Sequence, residues 1–232
     1  MPLVVLILAL LIPCTAIAGT QKYEPLSASV QAALSRSISD QAPSKSSFLD
    51  SMEAIDWLTE MSGRLEKRIA NRESRLEFLR AVHYEATRAG LDPQLVLGLI
   101  QVESGFKKYA VSSAGARGFM QVMPFWLKVI GRSDDNLFHL RTNLRYGCTI
   151  LRHYLDIEQG DLYRALGRYN GSLGQPEYPN LVRGAWYGQW VYSRGRTAPS
   201  PFRATSLSCP ASVWPCRPWR TASSFSAFAQ TA

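Results

Sequence analysis

The chain has 232 residues, a formal net charge of +8 at pH 7 and 46% hydrophobic residues. This length accommodates one modest catalytic or binding domain, with residues left over for a leader and tails. The positive charge is spread without a long basic tract or a recognised nucleic-acid-binding motif, which argues against a nucleic-acid-binding protein and leaves another anionic partner. Because the three His and four Cys residues show no metal-ligand spacing, we expect no metal or other cofactor.

Residues 1–18 have the pattern of a secretory signal peptide. An apolar stretch over residues 3–12 is followed by Ala16-Ile17-Ala18, which has the small-x-small form of a cleavage site. The stretch is too short to span a bilayer, although the first residues lack the usual Lys or Arg. We therefore predict export to the periplasm, and an uncleaved membrane anchor is the alternative.

Residues 19–47 are rich in Ser, Ala and Gln with little periodicity, which is typical of a flexible linker. From residue 48 onward, apolar residues recur at helical spacing among many charges. We therefore predict that residues 48–75 form a helical extension packed on the domain that follows.

A helix with a carboxylate on its apolar face follows. Asp92 is a typical N-cap, Pro93 suits the first helical position, and Gly105 offers a stop. Glu103 continues the apolar face, which consists of Leu95, Val96, Leu99 and Ile100. A desolvated carboxyl favours its protonated form, which suits a general acid near neutral pH. The alternative is a Glu that pairs with a nearby cation: Lys107, Lys108 or Arg117.

Residues 118–128 are expected to start a second helix or a hairpin. Three further helices are predicted at 143–155, capped by Thr142 or Asn143, at 161–169, capped by Asp161 and ended by Asn170-Gly171, and at 179–192. Residues 195–232 mix Pro, Ser, Trp, Cys and Arg without helical or strand period, so we expect a disordered tail. The fold class predicted from these elements is mainly α.

Several ordered motifs together resemble the lytic transglycosylase (SLT) family. They are Glu103-Ser104-Gly105-Phe106, Ala110-Val111-Ser112, the run from Gly115 through Gly118-Phe119-Met120-Gln121-Val122-Met123-Pro124, Asn143-Leu144-Arg145-Tyr146-Gly147, Ala165-Leu166 and Tyr169-Asn170-Gly171. The resemblance covers residues 76–190 and implies a lysozyme-like, mostly helical catalytic domain, which we place at 76–194. It also implies cleavage of the glycan strands of bacterial peptidoglycan, an anionic polymer that suits the basic chain.

The resemblance implies that Glu103 carries the chemistry alone. It would protonate the oxygen linking N-acetylmuramic acid to N-acetylglucosamine, then act as base on the muramoyl C6 hydroxyl to close a 1,6-anhydro ring. Most glycosidases need a second carboxylate, and none is evident near Glu103. The acidic residues considered lie in a polar loop or flank helix ends, where capping explains them: Asp134, Asp135, Asp156, Glu158 and Asp161.

Five further residues match family positions that line the site. Gln121 and Ser112 are expected to orient the acid or hold acetamido groups, and Met120 is expected under the sugar or in the core. Tyr169 and Asn170 match the Tyr-Asn pair facing the acid, where a phenol could hydrogen-bond the carboxyl.

Three other functions remain open at this point. A goose-type lysozyme-like hydrolase would share the fold and the acid but add water. A non-catalytic peptidoglycan-binding module could instead assist cell-envelope or secretion-apparatus proteins, and a nucleic-acid-binding domain is a weaker alternative that export disfavours. The sequence predicts no oligomeric state.

Overall fold

The computed structural model describes residues 21–39 and 51–192, and this part of the chain is mainly helical, which confirms the predicted fold class. Its elements are the α-helices α1 (Ala28–Ser39), α2 (Ser51–Leu65), α3 (Arg72–Arg88), α4 (Pro93–Ser104), α5 (Phe125–Ile130), α6 (Leu140–Ile157), α7 (Leu162–Asn170) and α8 (Glu177–Ala185), and a short π-helix (Trp186–Trp190). Within these residues, extended pairing is limited to the isolated bridges Val111–Arg117 and Arg117–Val122. In the same residues, none of the helices combines the length and apolarity needed to cross a membrane.

Helix α4 lies at the centre of the fold. Its residues from Leu95 to Ile100 are all buried, as expected of a helix that is apolar on every side. It packs against α3, α8 and the π-helix, while α6 packs against α3 and α7. The residue at the end of α4 is therefore held by a core that surrounds it.

The predicted bounds of α4 are confirmed. The Asp92 side chain accepts a 2.7 Å hydrogen bond from the Gln94 backbone N–H, and Pro93 occupies the first helical position. Gly105 adopts the left-handed conformation (φ 56°) that ends the helix. These signals are local, which is why the two ends of the helix could be predicted from the sequence alone.

Helix α6 begins earlier than predicted. It starts at Leu140 with His139 as N-cap, so the expected cap at Thr142 or Asn143 is wrong. The Asn143 side chain is instead fully buried, where it accepts from the Met120 N–H at 2.8 Å and donates to two backbone carbonyls. A long-range role thus outweighs the capping preference of this residue.

Helix α7 follows the prediction, because Asp161 caps its start and Gly171 ends it with φ 79°. The helix predicted at 179–192 starts earlier, at Glu177, and changes to π geometry after Ala185. The Trp190 indole N–H, at the end of this segment, donates to Gln101 Oε1 of α4 at 2.8 Å.

The expected linker at 19–47 contains a helix, so that prediction is wrong for α1. Two carbonyls of its last turn are held by the core: Arg88 donates to the Ser37 carbonyl at 2.8 Å and Arg145 to the Ile38 carbonyl at 3.5 Å. Both arginines pair with the buried carboxylate of Glu85 at 3.0 Å. Tertiary contacts therefore order a segment that has little helical signal of its own.

Of the predicted extension at 48–75, residues 51–75 are described; they form α2 and the start of α3, and the Met61 and Leu65 side chains are fully buried. The predicted signal peptide at 1–18 and the tail at 195–232 lie outside the described residues.

Candidate active site

Glu103 lies in the last turn of α4 and is buried, with 7% of its surface exposed. The Tyr178 hydroxyl donates to its Oε1 atom at 2.5 Å. The Oε2 atom is buried and has no hydrogen-bond partner in the described part of the chain. The three cations considered as partners in the sequence are all exposed (Lys107, Lys108 and Arg117). Glu103 is thus a buried carboxyl with one oxygen hydrogen-bonded to Tyr178 and the other without a hydrogen-bond partner among the described residues.

Burial determines the protonation of this carboxyl. Desolvation raises the pKa of Glu103 from its ordinary 4.5 to about 8, and the hydrogen bond from Tyr178 opposes that rise. The pKa of Tyr178 itself lies well above 10, because it is buried and faces Glu103. At neutral pH the pair therefore holds a protonated carboxyl beside a neutral phenol, and the carboxyl has a proton to donate.

Tyr178, at the start of α8, is the residue that sequence reasoning missed. It contacts a side chain 75 positions away, so no local pattern indicates the contact. The available signal was the pair Tyr178 and Val182, which lie four residues apart and are both buried. That spacing predicts the inward face of a helix beginning before residue 179.

Tyr169 makes a different contact from the one expected. It is fully buried on α7, and its hydroxyl donates to the Met120 carbonyl at 2.7 Å rather than to the Glu103 carboxyl. The neighbouring Asn170 donates to Ser172 Oγ at 3.0 Å, while its Oδ1 atom is buried without a partner among the described residues. Burial raises the pKa of Tyr169 well above its ordinary value, and the charge of Glu103 raises it further.

Gln121 and Ser112 shape the loop beside the acid. Gln121 has φ 48°, and its amide donates to the carbonyls of Ala110 at 3.1 Å and Gly118 at 2.9 Å. The Ser112 hydroxyl accepts from the Ala116 N–H at 3.0 Å. These contacts fold the loop back on itself, a role the sequence did not indicate for either residue.

Met120 is packed in the core. It is fully buried, and a Cβ added at Gly147 of α6 would lie 2.4 Å from its sulfur. Of the two roles predicted for Met120, core packing is the one its contacts support.

The other carboxylates considered in the sequence have partners elsewhere. Asp134 pairs with Arg132 at 2.9 Å, Asp135 accepts from the Tyr146 hydroxyl at 2.6 Å, and Asp156 pairs with Arg152. The same holds for the remaining two, since Glu158 pairs with Arg164 and Arg168 and Asp161 caps α7. None of these contacts involves Glu103. Among the described residues there is also no group of three or more His, Cys, Asp and Glu side chains that could hold a metal ion.

An N-terminal residue also reaches this region. The Gln21 side chain is buried, and its carbonyl oxygen accepts from the Trp126 indole N–H at 3.0 Å and the Met123 backbone N–H at 3.3 Å. No pattern in the sequence indicates that residue 21 lies here, because these contacts span about half the chain.

The site and fold thus define a mainly helical domain with a buried carboxyl, that of Glu103, at the end of its central helix. Residues 80–178 match the family model described as "Transglycosylase SLT domain". This match confirms the resemblance found in the sequence, since residues 80–178 are similar to the transglycosylase SLT domain.

Curated relatives are similar to part of this chain. The chain is 33% identical over 103 residues to a "Transglycosylase" of Enterobacteria phage PRD1, covering 44% of this chain and 38% of the relative. It is 46% identical over 84 residues to a "Membrane-bound lytic murein transglycosylase C" of Mannheimia succiniciproducens, covering 32% and 24%. A protein of the same description from Actinobacillus pleuropneumoniae serotype 5b is 50% identical over 48 residues, covering 21% and 13%. The chain therefore spans well under half the length of each of these relatives.

Proposed function

We propose that this protein is a peptidoglycan lytic transglycosylase, which cleaves the β-1,4 bond between N-acetylmuramic acid and N-acetylglucosamine and leaves 1,6-anhydro ends. The observation that carries the proposal is the buried Glu103 carboxyl, with a pKa of about 8 and one oxygen held by Tyr178. The SLT domain and the relatives' descriptions support the same substrate.

In the first step, Glu103 gives its proton to the glycosidic oxygen as the bond from that oxygen to the muramoyl C1 breaks. The leaving N-acetylglucosamine thus departs with a free 4-hydroxyl. The resulting carboxylate then takes the proton of the muramoyl C6 hydroxyl while that oxygen bonds to C1. Each step regenerates the form of Glu103 that the next one requires, and no water is consumed.

One observation supports this route over hydrolysis. The five other carboxylates considered in the sequence as candidates to activate water are engaged by other partners, as described above. Burial keeps the Glu103 carboxyl protonated, which suits the general acid that begins the reaction. Tyr178 then positions the carboxyl by fixing its Oε1 atom, so that Oε2 carries the transferable proton.

The remaining site residues contribute shape. We propose that Gln121 and Ser112 hold the loop beside the acid and that Tyr169 and Asn170 form the facing wall, with Met120 behind them. We also propose that the protein acts in the periplasm, because of the signal pattern at 1–18. There it would contact cell-envelope or secretion-apparatus proteins.

The test is mass spectrometry of products released from purified peptidoglycan by the native protein, by Glu103→Gln and by a control, Glu53→Gln, on an exposed position of α2. We expect anhydromuramoyl ends from the native protein and the control, and a loss of about 10²- to 10⁴-fold for Glu103→Gln. Reducing ends, heavier by one water, would instead establish a lysozyme-type hydrolase. Retained activity of Glu103→Gln would refute the mechanism.

A further inference from the structure

A cavity of about 400 Å³ lies where four parts of the chain meet: the turn between α2 and α3, the start of α3, the loop after α4 and the start of α6. We call it the α3–α6 cavity. Neither Glu103 nor any residue proposed above to shape its site lines this cavity. The lining residues used below are Arg68, Glu77, Phe78, Phe106, Lys108 and Phe119.

Three phenylalanines form the apolar floor of the α3–α6 cavity. Phe78, Phe106 and Phe119 are buried, with 2%, 5% and 6% of their surfaces exposed. The ring centroid of Phe78 lies 5.0 Å from that of Phe119 and 5.9 Å from that of Phe106. Because these rings are already packed on one another, a ligand placed on them buries apolar surface without the cost of ordering the wall.

The rim of the cavity carries two cations and one carboxylate, all exposed: Arg68, Lys108 and Glu77. The Arg68 guanidinium lies 5.3 Å from the centroid of the Phe106 ring, and the Lys108 ammonium lies 5.2 Å from that of Tyr109. Among the described residues, none of the three charged side chains belongs to an ion pair. Their charges are therefore available to a ligand.

This arrangement of charges selects the chemistry of the ligand. A simple polyanion, such as a phosphate, would be attracted by the two cations but repelled by Glu77. A molecule with carboxylates, an ammonium group and a hydrocarbon body is complementary to all three charges and to the apolar floor. Short peptides that contain a diamino acid have this combination of groups.

The cavity lies within a short distance of the acid. Phe106 follows Glu103 by three residues, so their Cα atoms are at most about 11 Å apart. The floor is also bonded to the residue next to the acid, because the Ser104 hydroxyl donates to the Phe119 carbonyl at 2.8 Å. An extended tetrapeptide spans about 13–14 Å. A peptide attached to a glycan at Glu103 is therefore long enough to reach the α3–α6 cavity.

We propose that the α3–α6 cavity binds the peptide stem of peptidoglycan, the short peptide carried by N-acetylmuramic acid. Arg68 and Lys108 bind carboxylates of the stem, Glu77 binds the ammonium group of its diamino acid, and the hydrocarbon chain of that residue lies on the phenylalanine floor. The protein then favours glycan strands that still carry their stems. The identity of the ligand rests on the proposed function.

The first test measures binding of a free stem to the native full-length chain by isothermal titration calorimetry. The probe is L-alanyl-γ-D-glutamyl-meso-diaminopimelyl-D-alanine with an acetylated amino terminus. We expect Arg68→Ala and Lys108→Ala each to bind it about fivefold more weakly. The matched controls, Lys67→Ala and Lys107→Ala, remove the same charge from exposed neighbours outside the cavity and should bind it as the native protein does. Equal losses in the controls, or no loss in Arg68→Ala and Lys108→Ala, would overturn the proposal.

The second test examines the role of Glu77. We expect Glu77→Gln to bind the same probe about fivefold more weakly. A probe whose diaminopimelyl amine is also acetylated has no ammonium group, so this variant should not bind it more weakly than the native protein does. A tri-glutamate peptide should bind the native protein more weakly than the stem. If it bound as tightly, the cavity would be a site for acidic protein segments and the proposal would be wrong.

A third test uses cleavage. On soluble glycan strands that carry stems, Arg68→Ala should raise KM about fivefold and leave kcat unchanged, because the stem is bound equally in the ground and transition states. On strands whose stems have been removed by an amidase, the native protein and the variant should have the same KM. A fall in kcat on both kinds of strand would instead show that Arg68 supports the fold of the active site, against the proposal.

The two proposals fail in distinguishable ways. If the native protein yields anhydro ends but does not bind the free stem, only the assignment of the α3–α6 cavity is wrong. If it binds the stem through Arg68, Lys108 and Glu77 but cleaves no glycan, only the proposed activity is wrong. If it does neither, both proposals are refuted.

Discussion

Replacing Glu103 with Gln should change how the stability of the protein depends on pH. In the folded state burial holds the pKa of Glu103 at about 8, whereas the unfolded chain has the ordinary value of 4.5. Between these values the folded state keeps a proton that the unfolded state has lost, so the free energy of unfolding falls as pH rises. The contribution is fully present below pH 4.5 and is lost by about pH 8, a total of roughly 5 kcal/mol.

The glutamine side chain in this variant would keep the shape of the carboxyl but cannot titrate, so that part of the pH dependence should disappear. Urea unfolding of the native protein and Glu103→Gln at pH 4.5, 6, 7 and 8 would measure it. Relative to the difference at pH 4.5, we expect the variant to gain roughly 3 kcal/mol by pH 7. It should therefore be inactive and yet lose less stability than the native protein between pH 4.5 and pH 7.

The matched control is Glu53→Gln, which makes the same chemical change on an exposed position. We expect its free energy of unfolding to run parallel to that of the native protein. If Glu103→Gln also ran parallel at all four pH values, the carboxyl would have an ordinary pKa in the folded protein. That result would refute the idea that burial prepares Glu103 as a general acid.

Tyr178→Phe removes a hydrogen bond that lowers the pKa of Glu103. We therefore expect the alkaline limb of the kcat/KM profile to move to higher pH and kcat to fall about tenfold. A pH–rate profile whose alkaline limb does not move would contradict this role. Gly98→Ala places a Cβ atom 2.9 Å from the backbone nitrogen of Trp186, so it should cost about 1–3 kcal/mol in urea unfolding. A Cβ atom added at Gly63 in helix α2 would have nothing within 4 Å, so Gly63→Ala should stabilise the protein by up to about 1 kcal/mol. If Gly98→Ala and Gly63→Ala changed the free energy of unfolding similarly, α4 and the π-helix would not be closely packed.

What could be predicted from the sequence was decided locally. Asp92, Pro93 and Gly105 each act within one helical turn, so the bounds of α4 and the inward position of Glu103 followed from a short stretch of chain. Tyr178 could not be found in this way, because its contact with Glu103 depends on how α8 packs against α4.

The same reason explains the failure at α1. The composition of this segment suggests a linker. It is ordered by a buried ionic group on α3 and α6, in which Glu85 pairs with two arginines that donate to carbonyls in the last turn of α1. Family resemblance assigned the phenol on the acid to Tyr169, whereas Tyr178 makes that contact. Sequence motifs identify residues by their order along the chain. They do not predict which side chain hydrogen-bonds a buried carboxyl, because that depends on how the helices pack.

The burial of residues outside the matched region has a practical consequence for work on this domain. Met61 and Leu65 on α2 are fully buried, and Trp190, beyond the other end of the match at 80–178, is 1% exposed. A fragment cut to the match would lose these side chains and uncover the apolar surfaces of α3 and α4 that they contact. We expect such a fragment to aggregate, because large exposed apolar patches drive association. The stretch of chain that folds as a unit is therefore longer than the stretch that matches the family, and it extends beyond the match at both ends.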